Sequence, residues 1–427
     1  MELPWLSTSR LEGGLWADMS RRAIFECCKW DPQVGDQESL ASFPLILRAS
    51  AWSELAHLAE RLSQEILAAE RELVERPELH RALALPRAVR CSLARGSPRE
   101  SPRRDVRVLR LDFHFTAEGW RISEANTDVP GGYNEASGFT GMMARHFAGA
   151  RACGDPAAAL VQAIARVVSP GSTVALVHAT AYTDDRQVMV FLARLLESQG
   201  IHTVLVAPDH VIWRDGRAGI QSSWHSGPAD LVLRFFPAEW LPSLPRRSGW
   251  HGFIRGSRTP LCNPASALLT QSKRLPLIWD HLQTDMRTWR RMLPETRDPR
   301  EVSWRGDPGW VVKPALGRVG EMIGLHGVTS ASDWARIRKS LRWHARHWIV
   351  QRRFDPVPLE VPGGRYFPCF GVYTIDGKAA GAYGRAAQKP LIDHQAQDAA
   401  VLVEEVVGAG TGPQPRGELI HGYVRAF

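Results

Sequence analysis

Apolar residues recur at helical spacing between Ser50 and Glu75. Leu55, Leu58, Leu62, Ile66 and Leu67 share one face, which predicts an amphipathic packing helix. The period then changes. From Arg110 to Asn134 the chain reads RLDFHFTAEGWRISEANTDVPGGYN, with polar and apolar residues alternating as they do along strands. Two strands are predicted, joined by a short turn around Glu118 and Gly119, where glycine is cheap if positive φ is needed. Residues two apart on a strand point the same way, so Arg110 and Asp112 share a face, as do Glu124 and Asn126. A hairpin does not need an arginine, two carboxylates and a carboxamide on one face for stability. A magnesium–nucleotide site does, because Mg²⁺ prefers a few hard oxygen ligands plus phosphate oxygens.

Downstream the pattern predicts a strand–helix–strand unit. Ala158 to Val168 reads as helix, Ser169 to Gly171 as turn and Thr173 to Val177 as a buried strand. Gln187 to Gly200 reads as a helix with a glycine cap, and Thr203 to Ala207 as a second strand. That order implies a parallel, right-handed unit of Rossmann type. No GxGxxG follows its first strand, so dinucleotide binding is poorly supported. Asp230 to Phe235 is a further strand, and Leu268 to Leu282 is expected to be helical. Gly309 to Lys313 and Trp348 to Gln351 are expected strands. Pro368 to Ile375 and Ala379 to Gly384 form an expected hairpin turning at Asp376-Gly377. The Ser-, Pro- and Arg-rich stretch Gly96 to Arg104 reads as a loop.

Composition narrows the class. The 427 residues suffice for two or three domains, and 44% hydrophobic with 23% charged content describes a soluble globular chain. No apolar run reaches transmembrane length. Charged residues from Glu2 to Arg21 interrupt any signal-like core, which favours the cytoplasm. Six cysteines form no CxxC pair, so neither a zinc site nor a disulfide framework is expected; Cys262 and Cys369 read as core. The net charge of +8 is scattered, and an anionic substrate explains it as well as nucleic acid would. No nucleic-acid partner and no membrane contact are expected; oligomeric state is not legible.

Further segments carry candidate chemistry. In WVVKPALGRVG, Lys313 closes an apolar strand before a loop holding Gly317, Arg318 and Gly320. Glycines let backbone N–H groups approach phosphate oxygens, while a lysine supplies a point charge and an arginine a planar fork. The segment is not a Walker A loop, and a solvated turn explains it equally well on its own. WIVQRR places Gln351 at a strand end that could meet an adenine edge, and Arg385 closes the AAGAYGR strand. Singly these are ordinary strand ends. Together they supply what phosphoryl transfer requires: positioning, charge neutralisation and in-line geometry.

Six segments, in order, resemble the ATP-grasp ligases, specifically the glutathionylspermidine synthetase branch. They are RLDF, EANTDVP, RFFPAEWL, QSKRLPLIW, VVKPALGRVG, and IVQRR with the AAGAYGR hairpin, spanning about residues 50 to 400. The resemblance implies an α/β (α+β) chain with a circularly permuted ATP-grasp fold. Its carboxylates precede its lysines, and a Rossmann-like pre-ATP-grasp domain is inserted. The division implied is 1–150 for N-terminal helices and magnesium-binding strands, 151–265 for the inserted domain, and 266–427 for the nucleotide-binding region.

By the same resemblance Asp112, Glu124 and Asn126 hold Mg²⁺, Lys273 and Lys313 contact ATP phosphates with Gly317 and Gly320, and Gln351 lies by adenine. Arg110 and Arg385 stabilise an acyl phosphate, and Arg318 lies on a mobile closing loop. Asp184 and Asp185, in the loop after the first Rossmann-like strand, stand where the family has an acidic pair for substrate. Asp128, Gly131 and Gly132 face substrate. The family commonly has Thr-Ser where this chain has Gly131-Gly132, so the acid or amine is expected to differ.

The activity implied is ATP- and Mg²⁺-dependent ligation. A small-molecule or peptide carboxylate is activated as acyl phosphate and captured by an amine, with release of ADP and phosphate. An ATP-grasp module that binds nucleotide or peptide without ligating is the alternative. No amidase Cys/His arrangement is evident N-terminally.

Overall fold

The computed structural model describes residues 2–34, 37–96, 105–317, 320 and 322–406. Helices α1 (Gly13–Glu26) and α2 (Ala49–Glu75) lead to the expected hairpin, β1 (Val108–Thr116) and β2 (Gly119–Asn126). Gly119 has φ +95°, the left-handed conformation that the tight turn demands. On β1, Leu109, Leu111 and Phe113 are fully buried and share one core with Leu55, Leu62 and Ile66 of α2. The opposite face carries Arg110, Asp112 and His114 into a cleft. The pairing register slips between Asp112 and Phe113, leaving Ser123 as an extra residue in β2. Such a bulge re-aims side chains locally, and Ser123 and Glu124 both line the cleft.

Next come α3 (Pro156–Ala165), β3 (Thr173–Val177), α4 (Thr183–Glu197), β4 (His202–Val206), β5 (Leu231–Arg234) and β6 (Leu261–Cys262). The four strands pair in parallel in the order β6-β5-β3-β4, so the expected parallel unit is present. One boundary differs in a way that matters. The α4 helix starts at Thr183 rather than at Gln187. Asp184 and Asp185 therefore sit in its first turn, where the helix dipole favours carboxylates, and not in the preceding loop.

Strands β7 (Trp310–Pro314) and β8 (Trp348–Arg352) are antiparallel neighbours. Helix α5 (Ala331–His344) packs Ile337 and Leu341 onto Trp310, Val312 and Val350 of those strands. Strands β9 (Gly364–Ile375) and β10 (Lys378–Ala387) form the second expected hairpin. Asp376 and Gly377 both have positive φ, +50° and +80°, as a type I′ turn requires. With β11 (Gln397–Ala399) the main sheet runs β11-β10-β9-β1-β2. Its last strands in sequence thus pair with the early hairpin.

Leu268 to Leu282 is not one helix. An α-helix covers Leu268–Gln271, Ser272 is extended at ψ 124°, and a 3₁₀ helix covers Leu275–His281. Pro276 cannot donate the backbone hydrogen bond of a continuous α-helix, and proline disfavours helical geometry in the residue before it. At the break the backbone N–H of Lys273 bonds to the Ala315 carbonyl at 2.9 Å, which ties this lysine to the end of β7. Of the predicted Gly96 to Arg104 loop, residues 97–104 lie outside the described residues. Cys262 and Cys369 are buried, as expected of core residues. No described helix is long and apolar enough to cross a membrane.

Candidate active site

A cleft of about 640 Å³ opens between the polar face of the main sheet, strands β7 and β8, and the start of α4. Its floor is the β1–β2 face. Arg110 holds Asp112 through two bonds, Nε to Oδ1 at 2.8 Å and Nη2 to Oδ2 at 3.0 Å. Its Nη1 donates to the Gly131 carbonyl at 2.8 Å, an oxygen that also accepts from the Tyr373 hydroxyl. Asn126 donates its amide to Asp112 Oδ2 at 3.1 Å. Gly371 of β9 lies directly opposite Asp112. A Cβ there would come within 2.8 Å of Arg110 Cδ and 2.9 Å of Asp112 Oδ1, so glycine makes room for the pair.

Across the cleft, Lys273 Nζ pairs with Glu124 Oε2 at 2.8 Å and donates to the Gly317 carbonyl at 2.9 Å. Lys313 Nζ donates to Gln351 Oε1 at 2.8 Å, and Gln351 Nε2 donates to Thr296 Oγ1 at 2.9 Å. Burial disfavours the Glu124 carboxylate, but Lys273, Lys313 and Arg110 together outweigh it and hold the carboxyl below its ordinary range. Burial also brings the Lys313 ammonium down to about 8, with Glu124 opposing and Lys273 assisting. His114, buried and then repelled by Lys313, falls to about 4 and is neutral at ordinary pH.

The donors suit a cation that arrives with phosphates. Two carboxylates and one carboxamide oxygen are a hard set, and nucleotide-bound Mg²⁺ is held by one or two carboxylates plus phosphate oxygens. Among the described residues, no three His, Cys, Asp or Glu side chains converge as a metal cluster.

At the other end, Lys29 is buried and contacts Glu135 at 2.7 Å, Asp398 at 3.0 Å and Asp31 at 3.1 Å. Asp398 also accepts from the Tyr383 hydroxyl and lies 3.6 Å from Arg385 Nε. Arg385 Nη2 donates to the Asp393 and Ala396 carbonyls at 2.8 and 2.9 Å. The Arg110 guanidinium lies over the Tyr383 ring, 5.0 Å from its centre, and so joins the two ends of the cleft.

Most residues singled out in the sequence converge. Arg110, Asp112, Glu124, Asn126, Gly131 and Gly132 line the cleft, as do Asp184, Asp185, Lys313, Gly320, Gln351 and Arg385. Lys273 lines an adjoining pocket with Glu124, Lys313 and Gln351, and Gly317 reaches the site through Lys273. Arg318 lies outside the described residues. Asp128 corrects the sequence reading. It is fully buried, ion-paired with Arg234, and accepts from the Ala238 N–H at 2.9 Å. A carboxylate spent on holding β5 against the chain after β2 does not face a substrate. The sequence reading missed His114, although the two-residue strand period places it beside Asp112. It also missed Lys29 and Asp398, whose sequence neighbourhoods carry no recognisable motif, and Glu135 and Tyr383, which lie beside or within quoted segments but whose contacts depend on tertiary packing.

Residues 42–404 match the family profile described as glutathionylspermidine synthase preATP-grasp. No curated protein matches the sequence. Among solved structures, the chain is similar to a glutathione synthetase-like effector from Globodera pallida, in its apo form. Identity is 11%, coverage is 92% of this chain and 97% of that one, and the TM-score is 0.61. A putative gamma-glutamylcysteine synthetase from Methylobacillus flagellatus is 12% identical over 79% of this chain and 88% of its own, with a TM-score of 0.43. D-alanyl-alanine synthetase A from Vibrio cholerae is 12% identical over 55% and 88%, with a TM-score of 0.31. The effector supports the α/β ATP-grasp fold; the two weaker likenesses add nothing to it.

Proposed function

The chain belongs to the glutathionylspermidine synthase preATP-grasp family, an ATP-dependent ligase family, and on that premise we propose how its cleft makes an amide bond. ATP binds with its phosphates between the β1–β2 face and Lys273 and Lys313. Asp112, Glu124 and Asn126 are the residues that would hold Mg²⁺, and the ion would supply positive charge to offset that of the phosphates. Gln351 and the apolar pocket behind it take the adenine. A substrate carboxylate oxygen attacks the γ-phosphorus, the bond to ADP breaks, and an acyl phosphate forms. An amine then attacks the acyl carbon, loses its proton, and phosphate leaves. Arg110 and Arg385 face the negative charge that develops in both steps. Segments 1–150, 151–265 and 266–427 would contribute the carboxylates, the substrate wall and the nucleotide lysines in turn.

The observation that carries this reading is a cleft in which Asp112 and Glu124 face Lys313, with Lys273, paired to Glu124, lining the pocket that adjoins it. In the free protein each of these carboxylates is paired with a basic side chain, Arg110 or Lys273. Mg-ATP supplies both a cation for the carboxylates and phosphates for the basic groups, so the pairs can exchange without leaving a buried charge alone. The test is ADP and phosphate release against panels of acids and amines. Asp112→Asn and Lys313→Ala should abolish or greatly reduce whatever turnover is found. Intact ligation in both variants would show that this site assignment is wrong.

A further inference from the structure

Apart from Arg385, the Lys29 end of the cleft has no counterpart in the phosphate chemistry just described. Lys29 comes from the turn after α1, ahead of the family-matched residues 42–404. That turn is fixed in place. Cys28 adopts φ +57°, the Lys29 N–H bonds back to the Ala23 carbonyl, and Asn134 donates to the Cys27 carbonyl at 2.6 Å. Gln187 of α4 accepts from the Trp30 N–H at 2.7 Å and donates to Asp31 at 2.8 Å. A long, flexible side chain is thereby delivered into a preset position with little entropy left to lose.

Its surroundings hold more negative charge than it balances. Asp31, Glu135 and Asp398 contact the ammonium, and Asp184 lies close enough to feel the charges of Asp31, Lys29 and Asp398. Arg385 is the nearby second cation. Glu135 is only 5% exposed, yet its Oε2 has no hydrogen-bond partner among the described residues. A buried carboxylate oxygen left unpartnered in a cleft wall is costly unless a ligand completes it. Burial raises the Glu135 and Asp184 carboxyls above their ordinary range, whereas at Asp398 burial is outweighed by Lys29 and Arg385. Carboxylates in this number recognise ammonium groups, and Lys29 already fills one such position.

Building on the ligase reading, we propose that Lys29 is a specificity-determining residue, a resident ammonium standing where the distal ammonium of a diamine would bind. The incoming amine then docks beside it through Asp184 and Glu135 with a single cationic end, and the second ammonium of a diamine or polyamine finds its position already held by Lys29. Selection by an unfavourable like charge is a general route to specificity.

Calorimetry without nucleotide tests this on the full chain, with 1,4-diaminobutane as probe and butylamine as control. Wild type should bind the diamine no better than butylamine. Lys29→Ala should bind the diamine about tenfold more tightly than wild type does, the worth of one close charge pair, and its melting temperature should rise with diamine. A Lys29→Ala protein that folds but shows no gain for the diamine overturns the proposal, as does equal binding by wild type. Should Lys29→Ala not fold, Lys29→Met/Glu135→Gln removes the stranded carboxylate and should still gain diamine binding through Asp31 and Asp398. If neither variant folds, Lys29 serves the fold and not selection, and the proposal fails. Binding of Mg-ATP by wild type is measured separately. Its absence would sink the ligase reading while the diamine result stands by itself.

Discussion

The two ends of the cleft handle buried charge in opposite ways. At the phosphate end each carboxylate has its own basic partner, Arg110 for Asp112 and Lys273 for Glu124. At the other end one ammonium, Lys29, is shared among three carboxylates, and a buried carboxylate oxygen has no hydrogen-bond partner among the described residues. Paired charges are stable without ligand and can trade partners when one arrives. Shared charges are short of a partner until one arrives. The first arrangement suits a ligand that carries both signs, as Mg-ATP does; the second suits a ligand that is simply cationic.

Breaking a pair at the phosphate end should have the largest effect. Asp112→Asn keeps the shape but removes a cation ligand and leaves the guanidinium of Arg110 without its carboxylate. Turnover should fall by about 10²–10³-fold or more, the usual loss when one fixed electrostatic group is removed from a reaction site. Melting temperature should also drop, because a buried cation is left unpaired. Rates within a few-fold of wild type would show that the two-sided pairing is structural only.

The pair also depends on the residue beneath it. Gly371→Ala would put a methyl group within 3 Å of both Arg110 and Asp112 and push them toward the cleft. Overpacking of this kind costs about 1–3 kcal/mol, equivalent to roughly a five- to 160-fold change if all of it fell on the reaction. Turnover should fall by about tenfold, less than for Asp112→Asn, while Lys29 and its partners are untouched. Ligase rates and amine binding measured on the same variant separate the two ends. Equal losses in both would show that they do not act independently.

The contrast between the ends also governs what could be read from sequence. The phosphate end is written locally. Arg110, Asp112, Glu124 and Asn126 lie on two adjacent strands with a fixed two-residue period, so their shared face follows from spacing alone. Even there the bulge at Ser123 was invisible, because it depends on cross-strand register. The other end is assembled from four distant segments. Lys29, Glu135, Asp184 and Asp398 meet only through tertiary packing, and none lies in a repeating pattern. Asp128 shows the converse error. It follows Asn126 closely, but the chain leaves the strand there and turns the carboxylate inward to Arg234. Adjacency in sequence said nothing about that turn. The broken helix at Ser272 was more accessible, since Pro276 already forbids a continuous one.

The smallest effect expected is one of pH, and it falls at the phosphate end alone. Lys313 can attract phosphate only as an ammonium, and burial has brought its pKa to about 8. At pH 7 most molecules carry the charge; at pH 9 most do not. Raising the pH should therefore weaken Mg-ATP binding, by at most about tenfold between pH 7 and 9. The loss should be smaller than that ceiling, because bound phosphate itself favours the ammonium. The γ-phosphate is already ionised over this range, so the nucleotide contributes little to the slope. Lys313→Arg keeps its charge throughout and should give a flat profile, as should Lys313→Ala from a weaker starting point. Diamine binding to Lys29→Ala should not follow this titration, since Lys313 lies at the far end of the cleft. Calorimetric titrations at pH 7, 8 and 9 resolve the difference. A wild-type profile as flat as that of Lys313→Arg would mean that the Lys313 ammonium is not what holds the phosphates.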